Sequence, residues 1–229
     1  MAKTYFLSGN KVFRIKICGV TSVADAQRAF DAGADAIGLN FYPGSSRFVS
    51  VEKARSITTK ISSAIGVFVN STAAEINQIA SEVALQGVQL HGDEPPGLLA
   101  EIDPALVLVR AYTLGSHGLA GIAESLNACR RAGRMPAAVL IDAAVEGQFG
   151  GTGQTADWEQ LNDYPRHLGE IPLALAGGLN PKNIGAAIRK VQPHAVDVAS
   201  GVESSPGVKD PVKLRSFINA AQAAYEEIK

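Results

Sequence analysis

Eight short apolar runs recur along this chain, each followed by a longer stretch with helical periodicity, and no other feature constrains the fold as strongly. The runs are 13–18, 36–40, 64–69, 87–90, 106–111, 137–142, 173–176 and 195–199. Most are rich in Val, Ile and Leu without polar alternation, the pattern of parallel strands buried on both faces. The stretches between them carry helix signals. Residues 22–32 end at Gly33 as a C-cap requires, and 72–84 open on Thr72, an N-cap type. Asn180-Pro-Lys-Asn is expected to start another helix with Pro in its first turn, and a last helix is expected from about Asp210. No Pro/Ser/Gly linker divides the chain. Eight βα units in a row predict an α/β fold, a single (β/α)8 TIM barrel over residues 1–229. A doubly wound open sheet is the rival, disfavoured by the uniformity of the repeats.

That architecture locates function before any motif is weighed, because such barrels build their sites from the loops after the strands. The length of 229 residues suits one barrel, and the apolar share of 46% suffices for its core. A formal net charge of -1 argues against a general electrostatic grip on nucleic acid or an anionic membrane. No apolar stretch approaches the ~20 residues that span a bilayer, and the first thirteen residues lack a secretory apolar core. Two cysteines, Cys18 and Cys129, form neither a disulfide framework nor a zinc motif. A reduced, soluble, cytoplasmic protein acting on a small molecule is expected.

The loop residues carry recognisable chemistry. Gly177-Gly178 and Ser200-Gly201 follow the seventh and eighth runs, where glycine lets main-chain N–H groups approach a phosphate. A phosphorylated ligand is expected there. Cys18 closes the first run before a Gly turn, and Asp142 closes the sixth. A thiol and a carboxylate so placed are a candidate base and general acid. Lys16 or Arg47 would help ionise the thiol, and apolar surroundings would keep the acid protonated. Each also has a structural reading: core thiol, turn-capping carboxylate. Arg47, on a Pro/Gly/Ser loop, suits an anionic substrate, and His91 after the fourth run is a further binder. Asp197, inside the eighth run, either meets a ligand hydroxyl or pairs internally. His117, His167 and His194 show no metal-ligand spacing. The Gly-rich loop 143–155 is read as a lid over substrate, with a tolerated insertion as the alternative.

In order, these loops resemble the phosphoribosylanthranilate isomerase family of tryptophan biosynthesis. The matching stretches include Lys16-Ile-Cys-Gly19, Phe41-Tyr-Pro-Gly-Ser-Ser-Arg-Phe-Val49, Val88-Gln-Leu-His-Gly-Asp-Glu94, Gly150-Gly-Thr-Gly-Gln-Thr155, Leu175-Ala-Gly-Gly-Leu-Asn-Pro181 and Val196-Asp-Val-Ala-Ser-Gly-Val-Glu203. Ala156 departs from the aromatic usual before Asp157-Trp158, and Asn40 varies near the site. The resemblance implies an Amadori rearrangement with Asp142 as acid and Cys18 as base. It also implies that Arg47 faces the anthranilate carboxylate, that Asp197 and His91 lie near the same pocket, and that the last two turns hold the phosphate. Two proton transfers need no metal, nicotinamide or flavin, so no cofactor is expected. The sister sugar isomerase of histidine biosynthesis is expected to carry Asp in place of Cys18. Other rivals are a phosphate-sugar binding module and a Schiff-base aldolase, for which Lys16 is the one strand lysine.

Overall fold

The computed structural model describes residues 13–114, 118–142 and 158–228. Eight parallel strands close into a barrel: β1 (Ile15–Ile17), β2 (Ala36–Asn40), β3 (Ala64–Phe68), β4 (Gly87–Leu90), β5 (Val107–Thr113), β6 (Ala138–Asp142), β7 (Leu173–Ala176) and β8 (Ala195–Val198). Sequence neighbours pair throughout, and β1 closes on β8 with Lys16 opposite Asp197. The helices α1 (Val23–Ala32), α2 (Val51–Thr58), α3 (Ala73–Val83), α4 (Leu98–Glu101), α5 (Gly118–Arg131), α6 (Tyr164–Leu168), α7 (Ile184–Val191) and α8 (Pro211–Glu227) follow the strands in turn. The closed barrel excludes the open-sheet alternative.

Strand parity divides the interior in two. Ala36, Ile65, Val109, Leu140, Ala174 and Ala195 belong to a cluster that fills the barrel. Their strand neighbours Ile37, Leu108, Val139, Leu173 and Val196 point outward into the layer beneath the helices. Both faces are thus apolar, which is why the runs lack alternation.

Several ends are fixed as the sequence indicates. Ser22 caps α1 through Asp25 N, and Gly33 ends it at φ 106°. Thr72 and Glu75 form a reciprocal capping box on α3, and Asp210 accepts from the N–H groups of Val212 and Lys213 ahead of Pro211. The Asn180-Pro-Lys-Asn segment leads into α7 as expected: regular helix runs from Ile184, whose N–H donates to the Asn180 carbonyl at 3.1 Å. There Asn180 accepts from Lys182 N at 2.9 Å, and Asn183 accepts from Asn180 N at 2.8 Å. These reciprocal side-chain bonds are of the capping-box kind, with Pro181 just behind the capping Asn180. The structure also adds a short hairpin after β8, β9 (Glu203–Ser205) with β10 (Val208–Lys209).

Candidate active site

Parity places the functional side chains. Cys18 continues the inward register of Lys16, as Asp142 continues that of Ala138 and Leu140 on β6. Both are half-buried and stand at the C-terminal ends of their strands. Below them Lys16 is wholly buried, with Nζ 2.9 Å from Asp197 Oδ2 and 2.9 Å from Gln89 Oε1. Asp197 therefore has an internal partner, one of the two readings left open by the sequence. Its other oxygen, Oδ1, is buried and meets no hydrogen-bond donor among the described residues.

An ammonium only donates, so it turns the Gln89 amide oxygen toward itself and the amide N–H group toward His91. Gln89 Nε2 lies 3.1 Å from His91 Nδ1. Nδ1 then accepts, which leaves the Nε2–H of a neutral imidazole as a donor. Desolvation holds the His91 pKa below its ordinary value, against the opposing pull of the Asp142 carboxylate. The neutral form is favoured accordingly.

Gly38 makes room for the thiol. A Cβ there would fall 2.7 Å from Cys18 Sγ and 3.2 Å from Lys16 Cε. Burial pulls the Lys16 ammonium down, but Asp197 and Cys18 outweigh it and raise its pKa. The thiol is pushed above its ordinary value, because desolvation exceeds the lowering effects of Lys16 and Lys209. The cations expected from the sequence to ionise Cys18 are present, yet burial prevails and the resting group is the neutral thiol.

Arg47 stands on the β2–α2 loop, whose start is tied by Asn40: Oδ1 accepts from Tyr42 N at 2.8 Å and Nδ2 donates to Ser45 Oγ at 3.1 Å. Its guanidinium grips Glu203 with two bonds, Nε to Oε1 at 2.8 Å and Nη2 to Oε2 at 2.7 Å. Glu203 and the buried Lys209 were not singled out from the sequence.

After β7, Gly177 (φ 89°) and Gly178 (φ 64°) are consecutive left-handed residues, a path that other residues take only with strain. Gly201 packs so closely on the Leu179 carbonyl that no side chain fits. Gly178 and Ser200 are exposed at the rim, and Gly201 is half-buried. The loops after β3 and β4 differ. Glu94 Oε1 accepts from Asn70 N at 2.9 Å, both its oxygens accept from Gly92 N, and Asn70 Oδ1 accepts from Asp93 N at 2.8 Å. The Glu94 carboxylate is thus buried inside the loop pair beside Arg110, not presented to the mouth. The lid reading of 143–155 and the substitution at Ala156 lie outside the described residues.

The family profile described as N-(5'-phosphoribosyl)anthranilate (PRA) isomerase matches residues 15–220. The chain belongs to the phosphoribosylanthranilate isomerase family. Its relatives include the N-(5'-phosphoribosyl)anthranilate isomerase of Magnetococcus marinus, 41% identical over 93% of this chain and 97% of that protein. The enzyme of the same name from Pseudomonas syringae pv. tomato is 44% identical over 90% and 96%. Among solved structures, phosphoribosyl anthranilate isomerase from Thermotoga maritima superposes with a TM-score of 0.82, at 37% identity, over 92% of this chain and 99% of that one. A second phosphoribosyl anthranilate isomerase, TM-score 0.78 and 35% identity with the same coverage, was solved in complex with reduced 1-(o-carboxyphenylamino)-1-deoxyribulose 5-phosphate.

As in other phosphoribosylanthranilate isomerase barrels, the strands are parallel and alternate with helices. No helix among the described residues is long and apolar enough to cross a membrane. A cavity of 810 Å³ opens at the opposite, N-terminal end, bordered by Phe13, Asp35, His194 and Tyr225, and shares none of the candidate residues.

Proposed function

We propose that this chain converts N-(5'-phosphoribosyl)anthranilate to 1-(2-carboxyphenylamino)-1-deoxyribulose 5-phosphate, the third step of tryptophan synthesis from chorismate. Asp142 gives a proton to the ribose ring oxygen, the C1'–O bond breaks, and the nitrogen lone pair forms an iminium. Cys18, in the minor thiolate form that has lost its proton to solvent and that Lys16 and Lys209 support, takes the C2' proton, the electron pair moves to nitrogen, and the enolamine tautomerises to the ketone as C1' gains a proton. Atoms balance within one molecule, so the scheme calls for no redox partner. Acid and base act on two positions of the same sugar, which a mouth carrying a thiol and a carboxylate at two strand ends suits. The observation that carries the reading is this pair of inward-facing strand-end groups, Cys18 directly after β1 and Asp142 at the end of β6, in a chain of this family.

The remaining groups have roles in the same scheme. The Gly177-Gly178 and Ser200-Gly201 turns hold the phosphate through main-chain N–H groups. Arg47 faces the anthranilate carboxylate with the nitrogen that Glu203 leaves over, and the neutral His91 and Asp197 Oδ1 meet substrate hydroxyls. A Schiff-base reading is disfavoured by Lys16, whose ammonium is held by Asp197 instead of being poised as a free amine. The reading of residues 1–229 as a single domain and a cytoplasmic location fit the same role. The test is the loss of phosphoribosylanthranilate fluorescence with purified protein, repeated with Cys18→Ala and Asp142→Asn. A wild type that leaves the fluorescence unchanged would overturn the reading.

A further inference from the structure

We infer that Glu203 and Lys209 are positioning residues of this site, a buried carboxylate and ammonium that set Arg47 and the Cys18 peptide in their working places. The inference rests on the reaction proposed above and assigns parts of it to residues outside the reacting set. The β9–β10 hairpin delivers both groups. Its register shifts between Val208 and Lys209, an irregularity of the kind that re-aims a side chain. Val208 is left exposed and Lys209 is buried. Gly207 O accepts from Thr21 Oγ1 at 2.7 Å and Lys209 N donates to Asp25 Oδ2 at 3.2 Å, so the hairpin is fastened to the loop after β1 and to α1.

Lys209 Nζ then reaches three acceptors: the Cys18 carbonyl at 2.6 Å, the Ala199 carbonyl at 3.2 Å and Glu203 Oε1 at 2.8 Å. One ammonium thereby joins the residue proposed as base to the residue that opens the Ser200-Gly201 turn. Glu203 is shared between two cations, Lys209 behind it and Arg47 in front. Its side chain is 4% exposed while that of Arg47 is 25% exposed, so the carboxylate is the fixed member and the guanidinium the accessible one. Glu203 engages Nε and Nη2, which confines the planar guanidinium and leaves Nη1 for an incoming anion.

The experiment is a kinetic cycle with phosphoribosylanthranilate and with its aniline analogue, which lacks the carboxylate. Glu203→Gln should raise KM for the anthranilate substrate by about tenfold, the scale of a weakened charge-assisted bond, with kcat little changed. The aniline analogue should be indifferent, and in an Arg47→Ala background Glu203→Gln should add nothing. Equal losses on both compounds, or a full loss in the Arg47→Ala background, would overturn the assignment of Glu203. Should Glu203→Gln not fold, Glu203→Asp, which keeps the charge but withdraws it, enters the same cycle. Lys209→Met should lower kcat on both compounds by freeing the Cys18 and Ala199 carbonyls, and an unchanged kcat removes Lys209. A wild type inactive on phosphoribosylanthranilate sinks the proposed reaction and this inference together; an active wild type with an indifferent Glu203→Gln sinks the Glu203 assignment alone.

Discussion

Lys16 and Asp197 face each other across the seam where β1 closes the barrel on β8, with Nζ 2.9 Å from Oδ2 in a layer wholly withdrawn from solvent. The pair lies directly beneath Cys18, so each member acts on the thiol with its own sign: Lys16 lowers its pKa and Asp197 raises it. Removing one partner of such a buried pair costs roughly 3–5 kcal/mol, because the other charge is stranded.

Alkylation of Cys18 should expose that balance. The thiolate attacks iodoacetamide and displaces iodide, so Lys16→Met should slow labelling by roughly tenfold at a fixed pH and Asp197→Asn should quicken it. Cys129 is completely buried and will not compete. Labelling rates of both variants that match wild type would separate this pair from the thiol.

Cys18→Ala and Asp142→Asn should each cut kcat on the order of a thousandfold, the usual worth of a positioned base or acid. Binding of the reduced product analogue, followed by titration calorimetry, should survive in both. Lost binding with kcat preserved would move these residues from chemistry to recognition.

The two turns proposed to hold phosphate should answer differently to a single methyl group. Gly201→Ala collides with the Leu179 main chain, so the turns after β7 and β8 must separate and phosphate affinity should collapse. At Gly178 there is open space, and the cost is only the left-handed backbone, about 1–2 kcal/mol. Inorganic phosphate inhibition and thermal melts of both variants check the contrast.

Acid should weaken the fold partly through Glu203. Burial opposes its ionisation, but Arg47 and Lys209 prevail and hold its pKa below the ordinary 4.5. Its contribution is therefore complete above 4.5 and drains away as pH falls through the lower folded-state value. Urea midpoints at pH 7 and pH 3 should differ less in Glu203→Gln than in wild type; an equal difference would remove Glu203 as a source of acid sensitivity.

The bis-phosphorylated substrate of the histidine-pathway isomerase should not be turned over. A second phosphate needs free N–H donors in the loops after β3 and β4, and those of Asn70, Gly92 and Asp93 are already taken by Glu94 and Asn70. Glu94 itself adds no repulsion at the mouth, since its carboxylate is buried within the loop pair. Conversion at a kcat/KM within about tenfold of that for phosphoribosylanthranilate, about 1.4 kcal/mol in transition-state stabilisation, would contradict this.

Much of the fold was legible because burial on both faces writes itself as unbroken apolar runs. All eight strands overlap those runs, and β2, β4 and β7 match them at both ends. Cys18 and Asp142 were legible as strand-end groups for the same reason. What escaped was partnership across the barrel. Lys16 and Asp197 lie far apart in the chain and become neighbours only when β1 meets β8, so closure itself was the missing signal. Glu203 and Lys209 were not singled out, since nothing local shows that a hairpin turns them inward.

Gly38 carries a consequence for how damage to this protein would arise. The seat of the thiol is a missing methyl group on the neighbouring strand, so what residue 18 can be is decided partly by residue 38. A Gly38→Ala change alters no reacting group, yet it must displace either Sγ or the Lys16 stem by several tenths of an ångström. Such a lesion would be invisible to any inventory of reactive side chains. The barrel would remain standing with the Cys18 thiol evicted from next door.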